Sequence, residues 1–214
     1  FPAPTADEVA RAAPFLDKLR QFMQQRVDSD AIDREGKIPD DVIQGLRDIG
    51  AFGIKIPEEY GGLGLSQLMY TRAIGMVTSQ DGSLTALLSA SQSIGVAVPL
   101  VLFGTEEQKQ KDLPRVAAGA ISAFALTEEG VGSDPACLAT SAVQDANGDW
   151  ILNGEKLWCT NGPIAEVMVV MARTGKRITA FIVETDWPGV ELVHRLDFMG
   201  LNAIENGVLR FTNV

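Results

Sequence analysis

"AAGAISAFALTEEGVGSD", Ala117 to Asp134, is where this chain changes character. Upstream, apolar residues recur every three to four positions, the period of a helix with one buried face. Downstream they come in short β-branched or aromatic runs separated by turn residues, the pattern of strands. The stretch therefore predicts an α+β chain: a helical domain over residues 1–120 and a small antiparallel, barrel-like β domain over 121–214. Within it, the apolar run ends at Thr127. The next seven residues hold two glutamates, two glycines, a serine and an aspartate. Such a turn is either a solvated acidic loop or a backbone cradle, because glycine lets a ligand approach the main chain and successive N–H groups bind anions.

Upstream, "FLDKLRQFMQQRV" places Phe15, Leu16, Leu19, Phe22 and Met23 on one helical face, with Pro14 suited to the first turn. "PDDVIQGLRDIG" predicts a second helix, opened by Pro39, favoured by two aspartates at its positive end and closed by Gly50. Ser66 is a cap for a third helix. Ser83 is a cap for a fourth, apolar on several sides and stopping at Gly104. "TEEQ", Thr105 to Gln108, is a capping box for a fifth, which Pro114 should break or kink. Asp28–Glu35 reads as a solvated connection. "SASQS", Ser89 to Ser93, reads as close helix packing.

Downstream, "ISAFAL", "WILNGEKLWCT", "EVMVVMA", "ITAFIVE" and "GVLRFTNV" read as strands. "DANGDW" and "TGKR" are turns, and Asn153-Gly154 is a hairpin signal. "VMVVM" does not alternate, so that strand should be covered on both faces.

Composition excludes several functions. The 214 residues carry a net charge of −10, against a nucleic-acid-binding face. Two cysteines, Cys137 and Cys159, make neither a disulfide framework nor a paired metal site, and suit a reducing compartment. The single histidine, His194, argues against a His-rich metal site or a Ser-His-Asp triad, and no metal is expected. No uninterrupted apolar run long enough for a membrane span is expected, and no targeting segment is visible. The glycines of "EEYGGLGLS" fit neither a dinucleotide fingerprint nor a P-loop and read as a loop before a helix.

Four stretches stand in order: "KIPEEYGGLGLS" (Lys55–Ser66), "FGTEEQKQKDLPRVAAG" (Phe103–Gly119), "FALTEEGVGSD" (Phe124–Asp134) and "LNGEKLWCTNG" (Leu152–Gly162). Together with "ITAFIVE" and "MGLNAIENGVLRFTNV" they resemble the acyl-CoA dehydrogenase family, with the third and fourth nearest its long- and very-long-chain branch. The resemblance covers nearly the whole chain. It implies an N-terminal helical domain and a middle β domain. The family's C-terminal helical bundle has no counterpart here, which makes residues 1–214 look like a fragment or the ordered part of a longer protein.

The resemblance also implies an FAD site. Phe124, Ala125, Leu126 and Thr127 would lie along the flavin, with the Thr127 hydroxyl and N–H at its pyrimidine end. Gly132 and Ser133 would lie beside the pyrophosphate, and Ser133 would also contact the acyl-CoA. Trp158, Cys159 and Thr160 would form the other wall, with Trp158 against the ring and Thr160 near N5. Read from the residues alone, Trp158 fills a β core, the usual fate of a strand tryptophan, and Cys159 alternates away from its neighbours. Two departures from the family pattern stand at Phe124, where a hydroxylated aromatic is frequent, and at Glu129, where proline is usual.

The implied reaction converts a fatty acyl-CoA to a trans-2-enoyl-CoA. A carboxylate removes the α-proton and the β-hydrogen leaves as hydride to the flavin. An electron-transfer flavoprotein then accepts the electrons. The family's catalytic glutamate matches no residue here, and Glu128 and Glu129 read as turn residues. Homodimers or homotetramers are implied, in a bacterial cytoplasm or a mitochondrial matrix. Two alternatives remain: an acyl-CoA oxidase using oxygen, and a non-catalytic scaffold that keeps the fold.

Overall fold

The computed structural model describes residues 3–214. These form two compact units. One runs to Ala120 and includes Phe198–Ile204; the other comprises Ile121–Asp197 and Glu205–Val214.

The first unit is helical: α1 (Ala6–Arg26), α2 (Ser29–Glu35), α3 (Asp40–Asp48), α4 (Gln67–Thr78), α5 (Gly82–Ser89), α6 (Ala97–Phe103) and α7 (Glu106–Ala117). Its starts are written in local chemistry. Thr5 and Glu8 form a reciprocal capping box that opens α1, so Pro14 lies inside the helix rather than in its first turn. The expected solvated connection is α2, capped by the Asp28 carboxylate and closed by left-handed Gly36, with Ile32 buried. Asp81, not Ser83, caps α5, accepting from the Leu84 N–H at 2.7 Å. The Thr105–Gln108 box opens α7 as expected, but Pro114 does not break it. Leu113, Val116 and Ala117 are buried on its last turn, and their burial holds the helix to Ala117.

The long apolar segment is not one regular helix. A π-turn, Ala90–Ile94, separates α5 from α6, with Ala90, Ser91 and Gln92 buried in it, in keeping with the close packing expected of "SASQS". Contrary to the sequence expectation, Gly82–Phe103 is long and apolar enough by composition to cross a membrane. Half of its most apolar window is buried, and it supplies Leu84, Leu88 and Leu100 to the interior of the helical unit.

The second unit holds β1 (Ser122–Ala125), β2 (Ser141–Gln144), β3 (Trp150–Thr160), β4 (Val167–Thr174), β5 (Arg177–Glu184), β6 (Val190–Arg195) and β7 (Asn206–Phe211). The sheet order is β1-β4-β2-β3-β7-β6, with β5 added to β4. The sheet is mixed and open rather than antiparallel and barrel-like. β1 runs parallel to β4, with Phe124 opposite Val169, and β2 meets β4 in parallel at Ser141–Arg173. The cause is topological. β2 and β3 intervene between β1 and β4, a connection long enough to return the chain in the same direction.

Small residues fill this core. Ala123 and Ala125 of β1 meet Met168, Val170 and Ala172 of β4, with Leu152, Leu209 and Phe211 from the other strands. Val167–Val170 is buried throughout, as a strand covered on both faces requires. "DANGDW" is the β2–β3 turn, where the Asp145 carboxylate accepts from the N–H groups of Asn147 and Asp149. Asn153-Gly154 is not a hairpin; both residues lie within β3. Gly154 is needed because β3 passes so close to Thr140 that a Cβ would collide with its backbone and hydroxyl.

Candidate functional site

The turn after β1 is fastened to β3 at successive peptides. The Leu126 carbonyl accepts from the Lys156 ammonium at 3.0 Å. The Thr127 carbonyl accepts from the Leu157 N–H at 2.8 Å. Glu128 and Val131 exchange two backbone hydrogen bonds of 3.0 Å, closing a tight turn over Glu129 and Gly130.

Glu128 is not the solvated turn residue that its sequence setting suggests. It is buried, and its carboxylate accepts from the Lys156 ammonium at 2.8 Å and from the N–H groups of Thr140 at 3.0 Å and Ala139 at 2.6 Å. Burial alone would raise its pKa. The hydrogen bonds from Lys156, Thr140 and Ala139 outweigh burial and bring it down to about 2. Lys156 has 0% side-chain exposure. Burial pulls its pKa below the ordinary 10.5, and the Glu128 charge opposes that pull. Lys156 was missed in the sequence because lysine normally reads as exposed. The signal was there: alternation from buried Leu152 places 154 and 156 on the inward side of β3.

Past Lys156 the strand is bulged. The β3–β7 register shifts between Lys156 and Cys159, so two residues three apart both turn inward. Trp158 takes up the shift with φ 55°, a conformation that bulky residues rarely adopt, and its side chain is 60% exposed. The bulge thus presents a tryptophan outward instead of burying it in the sheet. Thr160, at the strand's end, is half-buried, and its hydroxyl pairs with the Asn206 amide of β7 at 2.9 Å. Asn161 follows at φ 64° and donates through its side chain to the Ser122 carbonyl at 3.3 Å. Asn161 and Asn206, like Lys156, support the site residues and escaped the sequence reading.

The nine expected cofactor contacts divide by accessibility. Phe124, Leu126, Thr127 and Thr160 are half-buried, and Gly132, Ser133 and Trp158 are exposed. Ala125 and Cys159 belong to the core cluster, so only their backbone is left to meet a ligand. Burial raises the Cys159 thiol to about 12, which keeps it protonated and unreactive.

The turn leaves room for a flavin dinucleotide in front of two of its glycines. A Cβ built on Gly130 or Gly132 meets no atom within 4 Å, and neither residue has a positive φ. The protein itself does not require glycine there; the open space in front of the backbone is what a closely approaching ligand would use. Half-buried Thr127 and Thr160, exposed Ser133 and the outward Trp158 ring offer neutral donors and an aromatic wall. A cleft of about 650 Å³ is lined by the turn itself, including Glu128 and Gly130, with Cys137, Thr140, Glu155 and Lys156 among others, and by none of those four side chains. No cluster of metal-ligating residues occurs among the described residues.

Comparison with known proteins identifies the family. Residues 11–120 match the acyl-CoA dehydrogenase N-terminal domain, and residues 123–214 match the acyl-CoA dehydrogenase middle domain. The chain belongs to the acyl-CoA dehydrogenase family. It is 53% identical to the probable acyl-CoA dehydrogenase FadE10 of Mycobacterium tuberculosis over 100% of its own length and 34% of that protein. It is 37% identical to the mouse mitochondrial very long-chain specific acyl-CoA dehydrogenase, again over 100% of the chain and 34% of the relative. The chain therefore spans about a third of the length of the curated relatives it matches. Among solved structures, butyryl-CoA dehydrogenase from Megasphaera elsdenii superposes with a TM-score of 0.91 at 31% identity, covering 100% of this chain and 58% of that one. A glutaryl-CoA dehydrogenase from Mycobacterium smegmatis in complex with FADH2 superposes with a TM-score of 0.86 at 33% identity, covering 99% and 54%.

Proposed function

We propose that the natural protein is an FAD-dependent acyl-CoA dehydrogenase, and that this chain supplies the FAD-binding turn and one contact to the acyl-CoA. The observation that carries the proposal is the fastening of the Leu126–Thr127 turn to β3, the strand that also bears Trp158 and Thr160. Bound here, FAD supplies the acceptor for the substrate's β-hydrogen. Thr127 donates from its N–H and hydroxyl to the pyrimidine end. Thr160 offers its hydroxyl near N5, and Trp158 covers the ring and excludes water. Gly132 lets the backbone approach the pyrophosphate, and Ser133 donates to phosphate and to the acyl-CoA. Glu128 is excluded as the proton-abstracting base, since Lys156 and two N–H groups occupy its oxygens. The base is expected from residues beyond these 214, as are the contacts that build a homodimer or homotetramer.

A fatty acyl-CoA is the proposed substrate, an electron-transfer flavoprotein the proposed electron acceptor, and a bacterial cytoplasm or mitochondrial matrix the proposed setting. The family likeness supports all three, and the chain also resembles a solved structure of the electron transferring flavoprotein of Acidaminococcus fermentans, with a TM-score of 0.90 at 34% identity. A second reading, an oxidase that passes electrons to oxygen, is favoured by the likeness to the prolyl acyl carrier protein oxidase AnaB, with a TM-score of 0.87 at 33% identity.

The test is the flavin absorbance of the purified natural protein during titration with acyl-CoAs of graded chain length. Bleaching by one or more of them is expected. A protein with no flavin absorbance overturns the cofactor assignment, and flavin that no acyl-CoA bleaches overturns the substrate class. Peroxide formed in step with turnover selects the oxidase.

A further inference from the structure

We infer that Lys156 is a positioning residue: its buried ammonium aims and strengthens the Thr127 N–H as a hydrogen-bond donor to the bound cofactor. The inference rests on the flavin reading above. Lys156 itself has no side-chain exposure, so it acts through the turn and not by direct contact.

The argument begins with the peptide unit. A trans peptide is planar, and its C=O and N–H point in opposite directions. The described peptide bonds are all trans. The ammonium holds the Leu126 carbonyl at 3.0 Å from the buried side, so the N–H of the same peptide, that of Thr127, points the opposite way, away from Lys156. Among the described residues no backbone carbonyl accepts from it. The next peptide is fixed by a different donor, since the Thr127 carbonyl accepts from the Leu157 N–H at 2.8 Å. Thr127 is therefore clamped on both sides, and both clamps come from β3.

Charge adds to direction. A cation bonded to a carbonyl draws electron density through the peptide and makes the opposite N–H a better donor, an effect strongest where water is excluded. Glu128 serves two purposes here. Its charge opposes the pull of burial on the ammonium's proton, and it fixes the ammonium's position at 2.8 Å. The Ala139 and Thr140 N–H groups hold the carboxylate in turn, at 2.6 and 3.0 Å. The result is a relay from a buried ion pair through one peptide to one outward donor. Such a donor is matched to a ligand atom that gains negative charge, as the pyrimidine end of a flavin does on reduction.

A purely structural pair would stabilise the fold without altering the ligand's electronics, so the test reads both. The natural protein is compared with Lys156→Met, Lys156→Gln and Glu128→Gln by FAD dissociation constant, flavin midpoint potential and apoprotein melting temperature. Lys156→Met removes the donor to Leu126; FAD binding is expected to weaken by about tenfold, and the potential to move to a more negative value. Lys156→Gln keeps a neutral donor of similar reach. It should recover most of the affinity but not the potential, because the charge is gone. Glu128→Gln removes the charge and keeps one acceptor oxygen where the carboxylate used two, and its potential should fall between those of the natural protein and Lys156→Met. If the folded variants melt at lower temperature yet retain wild-type affinity and potential, the inference is overturned. Should Lys156→Met not fold, Lys156→Gln and Glu128→Gln decide it by the same potential measurement. A natural protein that carries no FAD overturns both this inference and the reading beneath it, whereas one that carries FAD and is indifferent to Lys156 overturns this inference alone.

Discussion

Two turns of this chain are written in almost the same letters. "PEEYGGLGLS", Pro57 to Ser66, lies in the helical unit, and "TEEGVGSD", Thr127 to Asp134, lies in the β unit. Each has a glutamate pair followed by spaced glycines, and the two use them in opposite ways. In the first, the glycines are structural. Gly61 and Gly64 have φ of 82° and 56°, and a Cβ on Gly62 would collide with the Ile56 carbonyl. Its glutamates are exposed, and Glu58 pairs with exposed Arg11. In the second, the glycines are unconstrained by the protein and one glutamate is buried on a buried lysine. A glycine that the fold requires says little about ligands. A glycine that the fold does not require, on a turn fixed by a buried charge, marks a surface shaped for something else.

The contrast is open to attack, most strongly through the charges. Lys156→Met leaves Glu128 buried and uncompensated, which should cost about 3–5 kcal/mol in denaturant unfolding. Glu58→Gln, which breaks an exposed pair, should leave the denaturation midpoint within error. Equal effects would erase the distinction. The glycines come next. Gly62→Ala forces a backbone shift and should destabilise by about 1–3 kcal/mol. Gly130→Ala and Gly132→Ala should be neutral or stabilise by up to about 1 kcal/mol, because the native φ suits alanine. Under the flavin reading, Gly132→Ala should nonetheless lower FAD retention, as measured by absorbance after gel filtration.

Acid titration probes the same pair more gently. Glu128 has its pKa depressed from 4.5 to about 2, so its contribution is complete above about 4.5 and is lost as pH falls through about 2. A urea midpoint followed from pH 5 downward should fall less steeply in Glu128→Gln than in the natural sequence. The smallest effect is chemical. Cys137 is exposed and Cys159 buried, so a thiol reagent should label one cysteine in the folded chain and the second only on unfolding. Labelling of Cys137 should be slower than for a free thiol at equal pH, because Asp134 raises its pKa. Rapid labelling of both would contradict the burial of β3.

What the sequence disclosed was local. The Thr105–Gln108 capping box and the doubly covered strand at Val167–Val170 follow from neighbours a few residues away. The Thr5–Glu8 box is equally local. What stayed hidden depends on distant partners. The parallel pairing of β1 with β4 joins residues 45 apart, as Ser122 does with Val167. The left-handed Trp158 arises from a register shift against β7, and no residue in "KLWCT" signals it. Thr127 and Ser133 are candidates only through the family resemblance, since nothing in their composition separates a cradle from a loop. Lys156 was legible in principle from alternation; its partner Glu128 was not, because a glutamate in a glycine turn ordinarily faces water.

The bulge at Trp158 has one more consequence, on the time axis. By shifting the β3–β7 register it turns the Leu157 amide proton away from β7 and hands it to Thr127. That proton can exchange with solvent only when the turn lifts off β3. The residues on either side of the bulge, Lys156 and Cys159, are in register with Leu209 and Gly207 of β7 instead. The exchange rate of the single Leu157 amide is therefore a clock for the turn, readable apart from the breathing of the sheet behind it.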